Sequence, residues 1–177
     1  MPRCTIMSIT HIVSPFPRSN HSHARCQASA LACAERACAE RGSRLTALRR
    51  RVLELVWRSH EPIKAYEILD RLHGKPRRAA PPTVYRALDF LRREGFVHRI
   101  ESMNAYVGCG APGHAGAAQF LICRVCGMAA EIADAGVSLR LGKRARELDF
   151  TVDAQTTEIH GLCAGCRPAR PRKRVPA

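Results

Sequence analysis

Apolar residues recur at helical spacing through the first half of this chain. Leu48, Val52, Leu55 and Val56 make one stripe, which Thr46 is placed to cap and which runs to about residue 59. Arg49, Arg50 and Glu54 lie on the opposite face. After Pro62, the residues Ala65, Ile68, Leu69 and Leu72 make a second stripe that Gly74 ends, and residues 75–80 form a basic loop. The third stripe lies in PPTVYRALDFLRREG. There Val84, Ala87, Leu88 and Leu91 fall at i, i+3, i+4 and i+7, between a possible cap at Thr83 and a stop at Gly95. Facing the core with these four leaves Tyr85, Arg86, Asp89, Arg92 and Arg93 outward.

The pattern then changes. Residues 96–100 and 105–107 read as short strands, and the Met103-Asn104 region can turn, which gives a hairpin. Three helices followed by a hairpin describe a winged helix-turn-helix, here expected over residues 28–108 with an earlier helix at 28–41 closed by Gly42. Residues 109–118, rich in Gly and Ala, read as a hinge. Strands at 120–122 and 129–132, a helix at 135–148 and a long strand at 150–159 make a small α/β unit over 119–167. The fold class is α+β. Residues 1–27, with few apolar runs, and the basic tail 168–177 are expected to be disordered.

Composition narrows the chemistry. No apolar run is long enough to span a membrane, and no secretory leader is visible, so a soluble, cytoplasmic protein is expected. The net charge is +14, unevenly spread. Residues 43–108 carry 14 basic and seven acidic groups, whereas residues 109–162 carry five and six. The positive field therefore belongs to the helical segment and the tail, which suits a polyanion met by one unit only. In a helix-turn-helix, the last helix before the wing presents its N-terminal residues to base edges in the major groove. Arg86 can fork onto guanine there, and Tyr85 can touch a thymine methyl or a phosphate. Arg49, Arg50, Arg51, Lys64, Lys75, Arg77 and Arg78 are expected to meet phosphates.

Nine cysteines in a chain without a leader favour metal-bound thiolates over disulfides. Two Cys-x-x-Cys pairs, Cys123/Cys126 and Cys163/Cys166, supply the four thiolates of a closed tetrahedral zinc site. Such a site builds a fold. The 36 residues between the pairs leave room for a helix and a strand. A second, less conspicuous set is His98, Cys109, His114 and Glu131, whose mix of sulfur, imidazole and carboxylate also suits zinc. These four bracket the joint between the two units.

The stretches SRLTALRRRVLELV, PPTVYRALDFLRREGFVHRIE, ICRVCG and EIHGLCAGC resemble the ferric uptake regulator superfamily, and more narrowly its zinc uptake regulator branch. The resemblance covers about residues 28–167. It implies a homodimer, joined through the α/β unit, that represses genes by binding double-stranded DNA when metal-loaded. It implies a structural zinc on Cys123, Cys126, Cys163 and Cys166, a sensing zinc on His98, Cys109, His114 and Glu131, and DNA contacts from Tyr66, Tyr85 and Arg86. Iron and peroxide sensors of the superfamily carry a His-His-x-His run before the first knuckle. This chain has GHAGAAQFLIC there, and Cys109 is a softer ligand than ferrous iron prefers. The spacing between Cys109 and Cys123 departs from the pattern, which leaves His160 or a water as the alternative to His114.

These readings converge on a zinc-responsive repressor that acts on palindromic operators and regulates zinc uptake, with no membrane or small-molecule substrate. An iron- or peroxide-responsive relative is the alternative within the family. A zinc hydrolase using His98, Cys109 and Glu131 around an activated water, and a zinc store, are the alternatives outside it.

Overall fold

A computed structural model describes residues 10–16, 23–73, 81–112 and 117–168, with backbone only at residues 10–12, 14 and 73. In chain order the elements are β1 (Thr10–Ser14), α1 (His23–Glu40), α2 (Ala47–Val56), β2 (Ile63–Lys64), α3 (Ala65–His73), α4 (Pro81–Arg93), β3 (Val97–Ile100), β4 (Ala105–Gly108), β5 (Ala118–Cys123), β6 (Ala129–Asp134), α5 (Ala135–Arg146) and β7 (Thr156–Gly161). Helices α1 to α4 and the small antiparallel sheet β2-β4-β3 form the winged helix. The second sheet has the order β1-β6-β5-β7, antiparallel except where β7 runs parallel to β5.

Each helical stripe is buried as its spacing requires. Val52, Leu55 and Val56 of α2, Ile68 and Leu72 of α3, and Val84, Ala87, Leu88 and Leu91 of α4 share one core with Leu53, Trp57, Phe90, Phe96 and Val97. Helix ends follow from local chemistry. The Thr46 hydroxyl accepts the Arg49 N–H at the start of α2. At the end of α4, Phe96 N–H bonds to Leu91 C=O at 2.8 Å and Gly95 N–H to Arg92 C=O at 3.0 Å. This double closure needs a left-handed residue, and Gly95 supplies it at φ 74°. Asp149 does the same after α5 at φ 55°.

The structure departs from the sequence expectations at several points. The arm 1–27 is not wholly irregular, because β1 and the first residues of α1 fall within it. Helix α1 begins before residue 28 because Cys26 and Ala30 pack on the helical core and Gln27 Nε2 donates to Glu54 C=O at 2.8 Å. Strand β1 forms where it has an edge to pair with, opposite β6, with Thr10 facing Asp134 and Ser14 facing Glu131. Helix α4 starts at Pro81, so Thr83 is not its cap; prolines are tolerated in a first turn, where their missing N–H has no partner to lose. The last strand is short, since residues 150–155 lie outside it, and Asp149 turns the chain before it can pair. The basic loop and its Lys75, Arg77 and Arg78, His114, and the tail beyond residue 168 lie outside the described residues.

Two hydrophobic clusters result among the described residues. The second one joins the units: Ile100 and Val107 of the wing share it with Ala118, Phe120 and Ile122 of β5 and Ala129 of β6, and Met103 packs against it. The wing is seated on the helices by a close approach at Gly108. A Cβ there would lie 2.3 Å from Cε2 of Trp57. Gly108→Ala is therefore expected to destabilise the winged helix by about 1–3 kcal/mol through overpacking. Trp57 is the sole tryptophan, so urea unfolding followed by its fluorescence measures this directly.

Candidate metal centres and nucleic-acid interface

The first cysteine pair sits where β5 turns toward β6, and the second follows β7. Parallel pairing of β5 with β7 sets Cys123 beside Gly161 and brings the two knuckles together. The four sulfurs all lie within 4.8 Å of one another. Cys126 Sγ and Cys163 Sγ are 3.8 Å apart. A tetrahedron with zinc–sulfur bonds of about 2.3 Å has edges of about 3.8 Å, so the donor set fits zinc in type and in spacing. The backbone is arranged to carry thiolate charge. The N–H groups of Cys126 and Cys163 pull the Cys123 thiol down to about 6, and the latter lies 3.4 Å from the sulfur. The neighbouring sulfurs of Cys163 and Cys126 push the Cys166 thiol up to about 12. Crowded thiols that resist ionising together are the setting in which a cation is most stabilising.

The second cluster joins three elements. His98 comes from β3, Cys109 from the residue after β4, and Glu131 from β6; their ligand atoms also lie within 4.8 Å of one another. His98 Nε2 is 2.9 Å from Glu131 Oε1, and the His98 ring packs edge-on against Phe120 at 5.5 Å. Cys109 and Glu131 are buried. Cys109 N–H donates to Phe96 C=O at 3.0 Å, which ties this residue to the base of the wing, and Gly110 N–H reaches Glu131 Oε2 at 3.4 Å. Burial, and then the adjacent Glu131, push the Cys109 thiol far above its ordinary range. A sulfur, an imidazole and a carboxylate converging in a buried site match the borderline-soft preference of zinc. His160, the alternative to His114, is not part of this cluster and lies 3.9 Å from Glu158 instead.

On the helical unit, Tyr66 and Tyr85 are each more than half exposed, unusual for tyrosine, and Arg86, Arg92 and Arg93 are also exposed. Tyr85 and Arg86 stand in the first half of α4, ahead of the wing. Lys64 Nζ lies 5.9 Å from the centre of the Tyr66 ring, so cation and aromatic share one surface. The arginines of α2 also make contacts within the fold. Arg49 stacks over Phe90 at 3.5 Å, Arg50 pairs with Glu35 and Glu54, and Arg51 pairs with Glu54 at 2.9 Å. Arg50 and Arg51 keep 45% and 43% of their side chains exposed, so weak surface ion pairs leave them within reach of a phosphate. The spacing of Glu54 from Arg50 and Arg51 on one helix anticipates those ion pairs.

The sequence pattern of the ferric uptake regulator family matches residues 40–160. The zinc uptake regulation protein of Escherichia coli K12 is 44% identical over 139 residues, covering 77% of this chain and 80% of that protein. Two solved structures are similar. A zinc uptake regulator complexed with zinc and DNA gives a TM-score of 0.75 at 41% identity, over 79% of this chain and 94% of that one. Holo XcZur gives 0.72 at 47% identity, over 82% and 98%. No helix among the described residues is long and apolar enough to cross a membrane. By motif, sequence and fold together, the chain belongs to the ferric uptake regulator family, in its zinc uptake regulator branch.

Proposed function

We propose that this chain is a cytoplasmic, zinc-responsive repressor that binds palindromic DNA operators as a zinc-loaded homodimer and controls genes of zinc uptake. Family membership sets aside the hydrolase reading. The likeness to a protein named for zinc uptake, together with the sulfur at Cys109, favours zinc over iron or peroxide. The observation that carries the reading is the cluster of His98, Cys109 and Glu131, because its members come from the wing, the segment after it and the second sheet.

In this reading Cys123, Cys126, Cys163 and Cys166 hold a permanent zinc that clamps β5 to β7. His98, Cys109 and Glu131, with His114 as a fourth ligand, hold the regulatory one. What zinc supplies there when bound is a set of coordinate bonds across the joint. The chain's own groups do the rest. Phe96 C=O and Gly110 N–H fix Cys109 and Glu131 in place, so the joint closes on a pre-formed frame. With the joint closed, two α4 helices of a dimer can address successive major grooves about 34 Å apart. With it open, ordering both arms on DNA costs entropy. A coupling of about 3 kcal/mol makes binding roughly a hundred-fold zinc-dependent. We assign the second unit, residues 119–167, to dimerisation. Its helix α5 has no buried residue, and Leu139, Leu148, Phe150 and Ile159 stand exposed, as a surface awaiting a second copy does.

Cys109→Ser tests the assignment. Titrated with zinc in a DNA mobility assay, the variant is expected to lose most of its zinc response while remaining a dimer; an unchanged response overturns the sensing site. Metal analysis is expected to find two zincs per chain, falling to one after mild chelation, with the residual one lost in Cys163→Ser. Arg86→Ala is expected to weaken binding by about 1–3 kcal/mol and to relax discrimination at one base pair. Competition with single-base-pair operator variants measures both effects.

A further inference from the structure

The wing touches the second sheet at a place that neither the metal clusters nor α4 uses. Strand β7 sets Glu158 opposite Phe120, and the carboxylate reaches the tip of the β3–β4 hairpin. Its Oε1 accepts Glu101 N–H at 2.7 Å, and its Oε2 accepts Ser102 N–H at 3.2 Å. The Ser102 hydroxyl is a third donor. Successive backbone N–H groups converging on one carboxylate form an anion nest. The tip is shaped to present them: Asn104 N–H closes a turn on Glu101 C=O at 3.1 Å, and Asn104 takes φ 47°. Burial would raise the Glu158 carboxyl, but the Ser102 and Glu101 donors outweigh it and hold it below the usual carboxylate range.

Position makes this contact more than local. His98 and Cys109 attach the hairpin at its base, where Val97 pairs with Gly108 and His98 with Val107. Glu158 attaches it at the opposite end, beyond the Ile100–Ala105 pair. The strands have four residues each, so the two attachments are about 10 Å apart. A hairpin held at one end can pivot; held at both ends it cannot. We propose that Glu158 is a positioning residue for DNA binding, a latch on the wing tip that fixes the angle at which the zinc-closed winged helix is carried. The inference rests on the repressor reading above. It adds that closing the metal cluster alone leaves the helices imperfectly aimed.

The test uses full-length, zinc-loaded protein and a palindromic duplex that the wild-type chain selects from a random library. If wild type selects no duplex in zinc, the repressor reading itself fails. Given a duplex, Glu158→Ala is expected to bind it about ten-fold more weakly at saturating zinc, with two zincs per chain and the dimer unchanged. Ser102→Ala is expected to lose two- to three-fold, on the order of one hydroxyl contact, and the double variant no more than Glu158→Ala alone. Hydrogen exchange supplies a readout independent of DNA. The Glu101 and Ser102 amides are expected to be protected in wild type and to exchange faster in Glu158→Ala. Wild-type-like affinity in Glu158→Ala overturns the proposal. If that variant does not fold, free exchange of the two amides in wild type overturns it equally, and their protection supports it.

Discussion

The structure depends on one seam, the apolar contact between the wing and β5. Ile100, Val107 and Met103 meet Ala118, Phe120 and Ile122 there, and the result is a shared core with members from both units. Apolar burial has no direction of its own, so this seam holds the wing down without fixing its angle. Direction comes from the polar groups at its two ends. His98, Cys109 and Glu131 close one end, and Glu158 closes the other. Without the seam these groups would not meet. Without the groups the seam could slip.

The chemistry of the His98, Cys109 and Glu131 cluster follows from where it sits. Beside Phe120 and out of water, the Cys109 thiol is costly to ionise. A divalent cation bound there would offset that cost. The cysteine knuckles face a different balance. Cys126 is exposed, and backbone N–H groups already favour charge at Cys123. A frame that prepares one thiolate in advance lowers the cost of gathering four sulfurs around a cation.

Much of this was legible in the sequence. The three helical stripes were, since each buries a face with its own period. So were the hairpin and both cysteine pairs, which depend on neighbours along the chain. His98, Cys109 and Glu131 were joined by resemblance and not by spacing, because only the seam brings β3 and β6 side by side. What escaped notice was long-range. The strand β1 needed the free edge of β6 to exist, although the run THIVS has β-branched residues in the right density. The stacking of Arg49 on the Phe90 ring follows from packing between α2 and α4, which no local pattern reports. Glu158 looked like one polar residue in a strand; its role comes from a turn 56 positions away in sequence.

The strand that the N-terminal arm contributes has a consequence for the borders of the second sheet. A sheet has two borders, each a row of backbone donors and acceptors able to recruit another chain. Here β1 covers β6 and becomes the border itself, with β7 at the other side of the sheet. The two borders are not alike. Strand β1 has five residues and breaks register between Ile12 and Ser14, whereas β7 holds an unbroken register along its six. A short, irregular border is a poor template for another chain, so the arm blunts the side of the sheet where β6 alone would offer a regular one.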